Sequence, residues 1–247
     1  MSLGTLALEL AAEHLEEAAF LFQQWEASLR APHYTLPEIQ AGPEARLLAH
    51  LDGLVLGGPA VADSLLVPGL EEDDPGRVFA AAFALAAAEP KPRLDPVAAV
   101  LAKDDPVQCA SIRRALSAAP IVSLEEELLA RFAAGGAPMR GHLLAVLGEL
   151  RVDPEAPLDA LASADEPAVR RLGLSLAARF PHRLNPLHLA RGFASPDPTV
   201  RCAAVETGLV VALQGALESL QQVLGAPSPA RAPATRGAGR ARRFPAR

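Results

Sequence analysis

The sequence predicts an all-α protein, an α-α superhelix of about five two-helix repeats behind an N-terminal helical cap. Three observations predict it. A proline-marked segment returns about every 31 residues, at Asp74-Pro75, Asp105-Pro106, Ala137-Pro138, Glu166-Pro167 and Asp197-Pro198. The apolar pattern after each proline has helical spacing, and strand signals are nearly absent along all 247 residues.

Before the repeats, Leu8, Ala11, Leu15, Ala18, Phe22, Trp25 and Leu29 step by three and four, an apolar seam along one helix of about seven turns. Glu9, Glu13, Glu16 and Glu17 stay largely off that seam, and Pro32 ends it. Thr35 to Glu38 has capping-box spacing, with Pro37 in the first turn of a second helix. A third helix is expected over about residues 44–56, closed by Gly57-Gly58. Residues 1–68 are read as the cap, covering an apolar face that would otherwise meet water.

Residues 69–225 are read as the repeat region. Each proline suits the first turn of a helix, where its missing N–H would have no partner in any case, and the preceding acid can cap the N–H groups that remain. Aligned on Val78, Val107, Met139, Val169 and Val200, the segments step by 29, 32, 30 and 31 residues. Five places on stand Phe83, Ile112, Leu144, Leu174 and Val205, and four places on Ala82, Ser111, Leu143, Gly173 and Ala204, mostly small, where neighbouring helices must approach. A second helix per unit is expected in the apolar stretches 94–102, 124–133, 158–162 and 184–193. Two short helices cannot bury their faces alone, so the units must stack.

The pattern Asp197-Pro198-Thr199-Val200-Arg201, with Glu166-Pro167-Ala168-Val169-Arg170 nearly the same and Pro138-Met139-Arg140 and Asp105-Pro106-Val107-Gln108 in part, resembles HEAT-like repeats of the short bacterial lyase type. The stretches 14–36 and 45–54, HLEEAAFLFQQWEASLRAPHYTL and ARLLAHLDGL, look like the start of an uncharacterised family of bacterial HEAT-repeat proteins often found near type VI secretion genes. The resemblance implies an accessory or scaffolding role there and brings no catalytic residues, because HEAT repeats share no common activity.

Composition agrees with a cytoplasmic, soluble helical protein: half the residues are apolar, and residues 1–20 have no basic leader and carry four acids. Residues 1–225 hold 17 basic residues against 29 acidic ones, a balance of −12 that repels nucleic-acid phosphates. The tail, residues 226–247, carries Arg231, Arg236, Arg240, Arg242, Arg243 and Arg247 with no acid and no apolar periodicity, and is expected to be disordered. Three readings of it stand: binding of RNA, DNA, an acidic protein or the protein's own acidic body, a solvated terminus, or an abnormal coding end after Thr207. The last would leave an uncapped apolar end free to self-associate.

No catalytic, cofactor or metal constellation emerges. The six histidines, His14, His33, His50, His142, His182 and His188, form no H-E-x-x-H and no His-Glu pair, so the chain departs from the two-iron HEAT-repeat hydroxylases. No Gly-rich phosphate loop or nucleophile elbow occurs. The mixed surface of Arg77, Lys91, Arg93 and Lys103 beside Asp95, Asp104 and Asp105 is unlike the basic channel of HEAT-type DNA glycosylases. Cys109 and Cys202, three repeat periods apart, lie too far from each other for a disulfide and are read as small packers at one recurring core position. Arg140, Arg170 and Arg201, with Asp105, Asp165 and Asp197, are expected to form a ladder bracing successive repeats.

The functional expectation is a non-enzymatic scaffold holding a protein or peptide in a concave groove lined by the second helices, through Glu126, Arg131, Asp159 and Arg191. The alternative is a lyase-like or small-molecule enzyme using the same groove.

Overall fold

A computed structural model describes residues 3–154 and 158–211, and among them every regular element is a helix. The tail and the end of the repeat region beyond residue 211 lie outside the described residues.

Helix α1 (Leu3–Arg30) buries the expected seam at Ala11, Leu15, Ala18 and Phe22, while Leu29 at its end is 38% exposed. The second and third expected helices are one element, α2 (Leu36–Leu56), in which the turn Gln40–Glu44 is widened to π-helical spacing. Pro43 lies inside that turn and has no N–H to give the ordinary ladder, so the helix widens there instead of breaking. At its start the Glu38 carboxylate accepts from both the Thr35 N–H and the Thr35 hydroxyl, at 2.8 Å each, and these bonds hold its pKa below the ordinary value. The Gly57-Gly58 stop turns the chain through 103° into α3 (Gly58–Gly69), a helix the sequence pattern did not predict. Gly58 makes the turn at φ +65°. Among the described residues no single helix is long and apolar enough to cross a membrane, and the bent pair α2–α3 buries Leu47, Leu51, Leu54, Val61 and Leu66 in the core.

From residue 75 onward the helices alternate. Those opened by the recurring segments are α4 (Pro75–Ala86), α6 (Pro106–Ala118), α8 (Ala137–Leu150), α10 (Pro167–Ala177) and α12 (Pro198–Val210). Between them lie α5 (Leu94–Leu101), α7 (Ile121–Ala134), α9 (Leu158–Ala162) and α11 (Pro186–Phe193). Asp74, Asp105 and Asp197 cap their helices through the side chain, as Asn185 does for α11, whereas Glu166 makes no such bond. The proline-opened helices pack in sequence: α1 on α4, α4 on α6, α6 on α8, α8 on α10 and α10 on α12.

The caps give a cleaner register than the apolar anchors. Asp74, Asp105, Gly136, Glu166 and Asp197 recur at 31, 31, 30 and 31 residues. Seven places after them stand Ala81, Ile112, Leu143, Gly173 and Ala204; ten after, Ala84, Ala115, Val146, Leu176 and Thr207; eleven after, Leu85, Leu116, Leu147, Ala177 and Gly208, every one buried. Val107, taken as an anchor, is 52% exposed, and its core place is held by Cys109. Cys202 is corrected by the same frame: it lies five residues after its cap where Cys109 lies four after its own, and it is exposed. One residue is about 100° of helical rotation, enough to move a side chain from core to surface.

Close approach explains the small residues. A Cβ on Gly173 would stand 2.5 Å from the Ala162 nitrogen of α9, and one on Gly76 would stand 2.4 Å from the Ala19 oxygen of α1. Gly76 therefore lets α1 lie directly against α4, whose side chains from Val78 to Ala86 are all buried. Buried Thr207 bonds across from α12 to the Leu174 carbonyl of α10 at 2.9 Å.

The expected arginine ladder is also corrected. Arg170 donates to the Ala164 carbonyl at 2.7 Å and Arg201 to the Ser195 and Pro196 carbonyls at 2.8 Å, each bracing the turn before its own helix, and Arg140 stacks over Phe132. A guanidinium at the first turn reaches the orphan carbonyls of the preceding loop more easily than a neighbouring helix. Other pairs bridge between the expected units: Lys103 to Glu71, Arg93 to Asp63, Arg131 to Asp95, Lys91 to Glu127, His142 to Asp104, and Arg183 to Asp153.

Candidate partner-binding groove

The outer face of the proline-opened helices is given by the residues five and nine places after each cap. In α4 these are Phe79 and Phe83; in α6, Ala110 and Arg114; in α8, Gly141 and Ala145; in α10, Arg171 and Ser175; in α12, Cys202 and Glu206. The face changes character along the molecule.

At α4 it is filled. Phe79 is 1% exposed, and its ring stacks on Phe22 of α1 at 4.1 Å. Arg114 of α6 reaches across to Glu26 of α1 at 3.1 Å and lies over the Trp25 ring at 4.7 Å. Two helices that flank α4 thus touch each other over it.

Beyond α6 the same face is open. A cavity of about 590 Å³ lies between α10 and α12, lined by Arg151, Ser175, Arg179, Glu206 and Thr207. A second, of about 430 Å³, adds Arg171, Thr199 and Cys202 on the α12 side. A third, of about 230 Å³, runs between α8 and α10 past Arg113, Glu149, Arg171 and Arg179. Ser175 lines all three, and Arg171, Arg179 and Glu206 each line two of them. Arg151 is aimed here from the end of α8 by a left-handed backbone, φ 59°, which closes that helix.

Four guanidinium groups, Arg113, Arg151, Arg171 and Arg179, line these adjoining cavities, and none forms an ion pair among the described residues. Only Glu149 and Glu206 offset them in the lining. A local excess of unpaired cations on a chain of net charge −6 is chemically suited to anionic groups, because a guanidinium offers a fork of donors to a carboxylate or phosphate.

The residues expected to bind a partner fall elsewhere. Glu126 is exposed on α7 and Arg191 is exposed on α11. Arg131 is partly buried and engaged by Asp95 and Glu127 at 2.8 Å each, so its charge is already satisfied within the fold. The bonds from Lys91 and then Arg131 hold the Glu127 carboxyl below its ordinary range. Asp159 is exposed on α9 and faces His188 at 3.3 Å. These four lie on the second helices and are not brought together with the arginine groove. Sequence reasoning missed the groove because its arginines come from three helices, at different places in each repeat, and only the packing of those helices brings them to one lining.

His14 and His50 meet through their Nδ1 atoms at 3.0 Å, joining α1 to α2, and His182 is exposed. No protein-family model matches the chain, and neither a curated protein nor a solved structure matches it.

Proposed function

We propose that the protein is a HEAT-like solenoid that acts as a non-enzymatic scaffold, binding an acidic segment of a partner protein along the groove of α8, α10 and α12. What carries this reading is the set of unpaired Arg113, Arg151, Arg171 and Arg179 on one open face. The stacking of successive proline-opened helices, each on the next, supports the solenoid. The cover that α1 places over α4 supports a capping role for the N-terminal segment. The composition adds a cytoplasmic setting, and the family resemblance an accessory role beside type VI secretion.

Placing the partner on this face, and not on the second helices, follows from charge. Arg131 is spent on Asp95 and Glu127, so the second-helix face offers fewer uncommitted cations than the groove of Arg113, Arg151, Arg171 and Arg179. Exposed arginines that hold no internal partner contribute little to folding, and their removal costs the fold little.

The test is anisotropy of a fluorescein-labelled oligo-glutamate peptide titrated with the full chain at increasing salt, followed by the same titration on Arg171→Glu/Arg179→Glu and on Glu126→Lys/Arg191→Glu. The expected result is binding that weakens with salt, a loss of at least about tenfold in the first variant with Tm unchanged, and no loss in the second. Equal binding by wild type and Arg171→Glu/Arg179→Glu would overturn the groove assignment. Loss confined to Glu126→Lys/Arg191→Glu would return the site to the second helices.

A further inference from the structure

We propose that Asp104, Cys109 and His142 form a zinc site that ties the turn between α5 and α6 to α8. One carboxylate oxygen, one thiol sulfur and one imidazole nitrogen from three separate elements have their ligating atoms all within 4.8 Å of one another. His142 Nε2 stands 2.8 Å from Asp104 Oδ1.

A tetrahedral zinc ion, with bonds of about 2.0 Å to oxygen and nitrogen and about 2.3 Å to sulfur, holds its ligands roughly 3.3–3.6 Å apart. The Asp104–His142 pair therefore has to open by about half an ångström and the sulfur to close by about one, shifts within reach of side-chain rotation. The donor set selects the ion. A thiolate rules against hard magnesium and calcium, and one sulfur, one imidazole and one carboxylate suit the borderline zinc ion.

The thiol has little else to engage it: Cys109 is 1% exposed, and among the described residues its sulfur otherwise reaches only the Leu101 carbonyl, at 3.9 Å. Binding then proceeds as the Sγ–H proton leaves to solvent and the sulfur–zinc bond forms. The Asp104 side chain is 62% exposed and that of His142 16%, which gives the ion a path from solvent and leaves the fourth position to water. Asp105, next in the chain, is already engaged in capping α6 through the Val107 and Gln108 N–H groups.

The site is tested on the full chain, expressed without a polyhistidine tag, freed of metal with a chelator and titrated with cobalt(II) as the spectroscopic substitute for zinc. One equivalent should give a thiolate-to-cobalt charge-transfer band in the near ultraviolet, which zinc then removes. Cys109→Ser should abolish the band while Cys202→Ser keeps it, and Asp104→Asn and His142→Gln should each weaken cobalt affinity by at least about tenfold. Circular dichroism checks that each variant is folded. Should Cys109→Ser not fold, the Asp104→Asn/His142→Gln double variant, altered on the solvent side, carries the test. No charge-transfer band in the wild type, a band that survives Cys109→Ser, or unchanged affinity in the double variant would overturn the site.

Discussion

The two ends of the helical row carry the same register positions and use them in opposite ways. Five and nine residues after its cap, α4 places Phe79 and Phe83, which α1 covers; at the same positions α10 and α12 place Arg171, Ser175, Cys202 and Glu206, all exposed. A repeated helix fixes which residues face outward but not what they meet. At the N-terminal end a 28-residue helix supplies an apolar partner, and the face becomes core. Further along, the described residues put nothing over it, and Arg171 and Glu206 stand there in the open beside Ser175 and Cys202. The comparison separates positions that serve folding from positions available for recognition.

Truncation at the covered end should have the largest effect. Phe79→Ala removes a stacked, fully buried ring, and a loss of about 3–5 kcal/mol is expected, read as a lowered midpoint in urea with the slope kept. A change below 1 kcal/mol would mean that α1 is held mainly by Gly76 and the ion pairs.

Next comes Gly173→Ala in the open half. Its Cβ would meet the Ala162 nitrogen at 2.5 Å and the Leu161 carbonyl carbon at 2.6 Å, both backbone atoms that cannot rotate away. Separation of α9 from α10 should cost about 1–3 kcal/mol, measured by the same unfolding curves. An unchanged midpoint would show that α9, five residues long, is not tightly docked.

The smallest effect is electrostatic and depends on pH. Glu127 has its folded pKa lowered by Lys91 and Arg131, so its contribution is present above the unfolded carboxylate value and is lost as pH falls through the lower folded value. Glu127→Gln should therefore lower stability at neutral pH by on the order of 0.5 kcal/mol, read from urea midpoints, and match wild type in acid. A deficit that persists unchanged in acid would assign the effect to packing rather than charge.

Much of this fold is legible in the sequence because capping and proline chemistry act over three or four residues. Asp74, Asp105 and Asp197 announce their helices, and the first seam announces α1. Errors arose where local signals compete. Two separate helices are expected around residue 44, yet Pro43 widens the turn Gln40–Glu44 without ending α2. Val107 is as apolar as Val200 yet lies one position out of phase. Arg170 and Arg201 found carbonyls closer than any acid on the next helix.

The sequence by itself determined the helical class, the helix starts and the period of about 31 residues, because each depends on contacts within a few residues of chain. Only the tertiary structure decided that Phe79 is core while Arg171 is groove, and that Asp104, Cys109 and His142 meet. Those facts depend on which helix arrives from elsewhere in the chain to cover a face, and local spacing carries no record of that arrival.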